Sequence, residues 1–360
     1  MGNKSRIIGF DLARAYAIFG MYIVNFNMVF GSYNDTSPVG KFLSLFSGNS
    51  STLFVMLAGM GIALMTNRPH YTDEERKKLR HTVLKRALFL FVLGLLLSIW
   101  WPADILHFYG LYLFIATFLL FLPTRYYLIA SILSILVFHV FLLIIPFEKG
   151  WNFDTLEYTD LWSIPGFIRN TFYNGWNSVF PWIAYFTTGM YLGRLNWTLL
   201  ITKKRVFLLG AALFIPVTIL QICAQIFLPI KELIEIITAD YLPPLLPFLL
   251  STIGFGLMLI AGFMYSSSFF LENKFIQNLA TTGQMTLTHY IAHLTIGMII
   301  FSLLSGKPYG AKINQTDSVH PLWILTFSIV YFIFSYYFSK IWKTKYKNGP
   351  LETLMRKISS

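Results

Sequence analysis

The stretch that decides the fold is residues 6–31, RIIGFDLARAYAIFGMYIVNFNMVFG. It is long and apolar enough to cross a bilayer as a helix, which takes roughly 20 residues. Yet Asp11 and Arg14 stand in its first two turns, and Asn25 and Asn27 near its far end. Asp11 and Arg14 are three residues apart, so they share a helix face and can pair. A charge inside a membrane span is expensive unless it is paired or lines a wet cavity, so this helix is expected to face the interior of a bundle. An ion pair at the membrane surface, its side chains reaching for the interface, would satisfy the same two residues.

Composition extends that reading to the whole chain. Of 360 residues, 56% are hydrophobic and 12% charged, with 35 Phe, 20 Tyr and 9 Trp. The expected fold class is all-α: a polytopic transmembrane helix bundle forming a single integral membrane domain over residues 1–360. Backbone groups in lipid must be satisfied within each helix, which excludes a soluble α/β enzyme. A net charge of +12 would suit nucleic acid, but the Lys and Arg residues cluster in short loops between apolar runs. That placement is a topology signal, and no nucleic-acid partner is expected. The single cysteine, Cys223, rules out an intramolecular disulfide or a cysteine-based metal cluster. The first apolar run is too long for a cleavable signal peptide and lacks a small-residue cleavage site.

About ten spans are expected, at 7–31, 42–65, 87–101, 105–122, 126–146, 177–195, 205–227, 245–269, 277–305 and 321–341. Gly59 and Gly61 in the second span permit close helix approach. Residues 66–86 read as a charged loop with seven Lys or Arg, in which His70 and His81 are solvated. Trp100-Trp101-Pro102 marks an aromatic belt and a helix stop. His139 stands alone in a greasy helix and reads as a bonded packing residue. Residues 147–176 form the longest loop, rich in aromatic and acidic residues, expected to fold over the bundle or lie on the membrane. Residues 231–244 read as an amphipathic external segment. Most Lys and Arg fall in alternate loops and in the tail, which puts both termini in the cytoplasm of a multi-pass plasma-membrane protein.

The chain holds no P-loop, Rossmann glycine fingerprint, G-x-S-x-G or HExxH. Polar residues inside the spans are then the functional candidates. His289 and His293 lie four residues apart on one face of the ninth span, flanked by Thr286, Thr288 and Tyr290. Such a pair can relay a proton, supply a general base with a supporting partner, or serve packing alone. No carboxylate or cysteine nearby completes a ligand set, so no metal is expected. Asp104 and His107, three residues apart, open the fourth span. A carboxylate bonded to one ring nitrogen makes the other a better base. Asp before an apolar helix is equally a preferred N-cap. Together with Asn25, this pair can converge on an outward-facing cavity.

Several segments resemble the YeiB-like bacterial membrane family: DLARAYAIFGMYIVN, LFVMLAGMGIAL, the DIL..YG pattern near residue 105, GQMTLTHY, and the terminal GPLE from Gly349 to Glu352 followed by Arg356. That family resembles transmembrane acyltransferases, among them the lysosomal heparan glucosaminide acetyltransferase and the acyltransferase-3 group. The resemblance implies transfer of an acyl group from cytoplasmic acyl-CoA to an acceptor across the membrane. Arg14 and Asn25 fit the acyltransferase-3 spacing, with Asn where that group has His. Where the heparan enzyme places its catalytic His, this chain has Thr36. The base of either relative is absent from its expected position, so it would come from His107, His293 or His289.

On that reading Arg14, Arg86 and Arg194 at the cytoplasmic mouth hold the phosphates of an acyl-CoA co-substrate, with Asp11 and Asn25 also lining the substrate path. The positive-inside rule places arginines there in any case. No tightly bound cofactor is expected. The partners are membrane lipids, the acyl-CoA donor and a glycan or lipid acceptor, and an oligomer is compatible with all of this. The rival class is a transporter or lipid-binding protein using the same buried polar residues, although the two halves of the chain show no self-similarity. A structural scaffold leaves those residues unexplained.

Overall fold

A computed structural model of the chain describes residues 7–32, 35–68, 70–238, 241–308 and 318–360. Arg6, at the head of the first stretch, and residues 239–240 of the amphipathic segment lie outside the described residues. The element order is α1 (Ile8–Phe30), α2 (Pro38–Ser44), α3 (Asn49–Met65), α4 (Asp73–Leu97), α5 (Leu106–Leu119) and α6 (Arg125–Ile144). A two-stranded ribbon follows, β1 (Trp151–Asn152) and β2 (Glu157–Tyr158), then α7 (Ile164–Arg169), α8 (Val179–Leu192), α9 (Leu200–Phe227) and α10 (Lys231–Thr238). The remainder is α11 (Leu246–Ser266), α12 (Lys274–Gly283), α13 (Thr286–Ser305), α14 (Pro321–Lys345) and α15 (Pro350–Ser359).

Among the described residues, six helical stretches are long and apolar enough to cross a membrane: 38–65, α6, α9, 246–269, α13 and α14. Their outer faces carry large apolar side chains, such as Leu143 at 87% and Phe227 at 76% exposure. So much exposed hydrocarbon belongs in lipid rather than water. The helix α1 is the reverse case. It is buried along nearly its whole length and packs against α3, α11, α12, α13 and α14. Its position in the middle of the bundle is what shelters its charged and amide side chains from lipid. The helices α3 and α8 pack tightly on each other by small-residue contact. A Cβ on Gly59 would collide with the Phe186 carbonyl, and one on Gly189 with the Met56 carbonyl. Gly61 instead faces the Arg14 guanidinium.

Two expected boundaries are corrected. Residues 66–86 are not a loop throughout, because α4 begins at Asp73 and carries the charged run as helix. A capping box starts it: Thr72 Oγ1 accepts from the Glu75 N–H at 3.2 Å, and the Glu75 carboxylate accepts from the Thr72 N–H at 3.0 Å. The expected ninth span, 277–305, is broken at Gln284–Met285 into α12 and α13, and α13 itself widens into a π-turn at His293–Gly297.

The connection from α4 to α5 folds into the bundle, burying Trp101, Asp104, Ile105 and Leu106 while Ile99 and Trp100 stay exposed. Residues 147–178 are ordered rather than slack. Arg169 grips both Asp160 carboxylate oxygens at 2.7 Å, and the Asn174 amide donates to the Phe147 and Lys149 carbonyls. His139 donates within its own helix to the Ile135 carbonyl at 2.8 Å, a packing arrangement, and His70 and His81 are exposed.

Candidate active site

Three helices bring the polar residues together. In α1, Asn25 is 6% exposed; in α13, His293 is fully buried. The Asn25 amide nitrogen donates to His293 Nε2 at 2.8 Å, and His293 Nδ1 donates to the His289 carbonyl at 3.2 Å. Both ring nitrogens are thus engaged, and the ring is boxed by Tyr22 and Tyr290 at centroid distances of 5.0 and 5.3 Å. The π-turn begins at His293, and such local widening of a helix recurs at functional sites. One turn earlier, His289 Nε2 shares a 2.7 Å hydrogen bond with the Ser339 hydroxyl of α14.

The second centre is the buried pair at the start of α5. Asp104 is 0% and His107 3% exposed. Asp104 Oδ2 accepts from His107 Nδ1 and from the His107 backbone N–H, each at 3.0 Å. The carboxylate therefore acts both as a local cap and as the orienter of the imidazole. Asp104 Oδ1 and His107 Nε2 are buried with no hydrogen-bond partner among the described residues. Buried polar atoms are nearly always paired, so an orphaned imidazole nitrogen beside an orphaned carboxylate oxygen needs a reason. The pair is seated by Gly94 of α4, where a Cβ would collide with the His107 backbone nitrogen and crowd Asp104 Oδ2.

Tyr290 joins the two centres. Its hydroxyl accepts from the Ile105 N–H at 3.4 Å, and its ring packs edge-on to that of His293. Phe54 of α3 stacks on Tyr109 at 5.5 Å and on Tyr290 at 6.3 Å. The Tyr109 hydroxyl is likewise buried without a partner among the described residues. The spans bearing Asn25, Asp104–His107 and His289–His293 are therefore neighbours.

The remaining candidates sit at the basic end of the bundle. Arg14 lies 3.8 Å from Asp11 and 4.0 Å over the Phe10 ring, and Gln284 donates to Asp11 Oδ2 at 3.1 Å. Arg194 donates to the Thr66 carbonyl at 2.6 Å, the Thr66 hydroxyl at 2.7 Å and the Leu120 carbonyl at 2.8 Å. It thereby caps the ends of α3 and α5. Arg86 donates to the Ser359 hydroxyl at 3.2 Å and touches the Met65 sulfur. An open cleft of about 410 Å³ lies at this end, bordered by Ile7, Asn67, Arg194, Lys203 and Ser267. Among the described residues no cluster of His, Cys, Asp and Glu could hold a metal.

Comparison with known families gives the kinship of the chain. Residues 6–230, more than half of the chain, match the family described as heparan-alpha-glucosaminide N-acetyltransferase, catalytic. The chain belongs to that family. Residues 200–360 match the family described as a protein of unknown function, DUF418. The two matches agree with the YeiB-like kinship and with a relation to transmembrane acyltransferases. No curated protein and no solved structure matches the chain.

Sequence reasoning passed over several residues that build the site. Ser335 and Ser339 of α14 bond Tyr22 and His289, and they belong to a buried stripe, Ile324, Ser328, Tyr331, Ser335 and Ser339, whose spacing of three and four is visible in the sequence. Phe54, Tyr109 and Glu352 lie in segments that carry the family resemblance, but no spacing in the sequence pointed to their contacts in the site.

Proposed function

We propose that this protein is a transmembrane acyltransferase of the bacterial plasma membrane. It moves an acyl group from cytoplasmic acyl-CoA to a hydroxyl or amine of an envelope glycan or lipid on the far side. The observation that carries this reading is the state of His107: Asp104 holds Nδ1, while Nε2 is buried and open among the described residues. A general base needs that arrangement, one nitrogen fixed and the other facing the proton it takes. His293 has both nitrogens occupied and suits orientation of the substrate, together with Asn25 and Tyr290.

In the reaction, His107 Nε2 takes the proton of the acceptor as its oxygen or nitrogen bonds to the thioester carbonyl carbon. The resulting oxyanion needs a donor, and the buried Tyr109 hydroxyl is available to serve. The carbon–sulfur bond then breaks, and the CoA thiolate recovers the proton from His107. At the basic end, Arg14 lies beside Asp11 to meet donor phosphates, with Arg86 and Arg194 around the same mouth. Arg14, held beside Asp11 inside the bundle, is the residue whose substitution tests this end of the site.

On this reading the six long apolar helices are joined by α1, the apolar half of α4, α5 and α8 to give ten spans, with the chain entering and leaving on the cytoplasmic side. At 14 residues, α5 is short for a span, and the inward-folded connection before it completes the crossing. The reading is tested by equilibrium binding of acetyl-CoA and longer acyl-CoAs to the purified wild type, Arg14→Ala and His293→Ala. Saturable binding weakened by Arg14→Ala supports it. Failure of folded wild-type protein to bind any acyl-CoA removes the enzyme and directs the search to transport.

A further inference from the structure

The break at Gln284–Met285 creates a helix start inside the bundle. The first N–H groups of a helix have no intrahelical partner and need one from elsewhere. The residue before α13 is Met285, whose side chain provides no cap. The partner comes instead from the C-terminal tail. Glu352 of α15, 9% exposed, accepts the Leu287 N–H at 2.8 Å and the Thr288 N–H at 3.1 Å on Oε1, and the Thr288 hydroxyl at 2.6 Å on Oε2. The Thr288 hydroxyl in turn accepts the Leu351 N–H at 3.1 Å. At Gly349 a Cβ would collide with the Glu352 carboxylate and crowd the Thr288 hydroxyl, so glycine lets the tail approach this closely.

The far end of the tail is fastened to α4. Arg86 Nε donates to the Ser359 hydroxyl at 3.2 Å, and Lys85 Nζ to the Ser360 carbonyl at 2.7 Å. The helix α15 is thus a strut between α4, which seats the Asp104–His107 pair, and α13, which carries the other two histidines. His289 directly follows the residue Glu352 holds. Its carbonyl accepts from His293, and His293 meets Asn25. A carboxylate that accepts three hydrogen bonds from two consecutive residues fixes the rotation and axial position of that turn. Everything bonded downstream inherits the setting.

We propose that Glu352 is a positioning residue: through the N-terminus of α13 it sets the register of His289 and His293 against α14 and α1, which makes the C-terminal helix a working part of the site. The positional claim stands on geometry alone, and only its consequence for turnover rests on acyl transfer. Its test therefore reads the histidines rather than activity.

Full-length protein in nanodiscs carrying ¹⁵N,¹³C-histidine is compared as wild type, Glu352→Ala and Glu352→Gln, with each histidine assigned by single substitution. Glu352→Ala should shift the ring resonances of His289 and His293 while leaving those of His107 in place. Amide exchange at Leu287 and Thr288 should speed up about tenfold or more, the factor that corresponds to loss of one such hydrogen bond. Glu352→Gln keeps an acceptor oxygen for the two N–H groups and should restore most of the wild-type spectrum. If Glu352→Ala fails to fold, Glu352→Gln decides alone: a partial shift confined to His289 and His293 supports the claim. Unchanged His289 and His293 signals in a folded Glu352→Ala, or equal shifts at all three histidines in either variant, overturn it.

Discussion

One carboxylate oxygen, Asp104 Oδ2, stands 3.0 Å from both His107 Nδ1 and the His107 backbone nitrogen, fixing ring and chain together. Asp104→Asn keeps the shape and leaves one oxygen to accept both N–H groups, but it removes the negative charge that stabilises the imidazolium formed when Nε2 takes a proton. We expect acyl transfer to slow by about 10²–10⁴-fold, with binding of the donor unchanged. Steady-state kinetics that show a raised KM at constant kcat would instead make Asp104 a binding residue.

Gly94 leaves the room into which Asp104 and His107 settle. In Gly94→Ala the new methyl meets the His107 backbone rather than a yielding side-chain end. Overpacking of this kind costs about 1–3 kcal/mol. Thermal unfolding in detergent should show the loss, along with loss of transfer activity. A fully stable, active Gly94→Ala would show that α4 and α5 do not pack this closely.

The amide of Asn25 is the partner of His293 Nε2. Asn25→Ala strands a buried imidazole nitrogen, at about 1–3 kcal/mol. Asn25→Asp presents an oxygen that cannot donate, and so forces a proton onto the ring or breaks the contact. Histidine ¹⁵N shifts should report a changed His293 Nε2 in both variants, and an unaltered His293 spectrum would contradict the pairing.

How much of this was legible in the sequence depends on how local the cause is. The inward face of α1 followed from Asp11 and Arg14, because no lipid-facing helix carries them cheaply. The shared face of His289 and His293 followed from helical spacing. The Thr72 to Glu75 capping box was also there to be read, but seven basic residues in 66–86 drew the stretch toward a loop. The break at Gln284 was not legible: Gly283 precedes it, but what stabilises the new helix start is a carboxylate more than sixty residues further on. The meeting of Asn25 with His293, 268 residues apart, is set by packing of whole helices and leaves no local trace.

The same capping box gives a pH dependence. The Thr72 backbone N–H, with Arg68 at 3.1 Å adding to it, holds the Glu75 carboxyl below its ordinary pKa in the folded chain. The stabilisation is then present above the unfolded carboxylate pKa and fades as pH falls through the lowered folded value. Exchange protection at Thr72 and Glu75 should drop over that acid window, and Thr72→Ala, which deletes the hydroxyl that accepts the Glu75 N–H, should lower protection at Glu75 already at neutral pH. A protection profile flat through the carboxylate range would show that the box does not form.

The most direct test of the account is release of free CoA from acetyl-CoA by the purified protein in nanodiscs, supplied with an envelope glycan and lipid extract, for wild type against His107→Ala. The account predicts steady release by wild type and a fall of about 10²-fold or more in His107→Ala, with acetyl-CoA still bound. Wild-type rates in a folded His107→Ala would remove His107 as the base and with it the central claim.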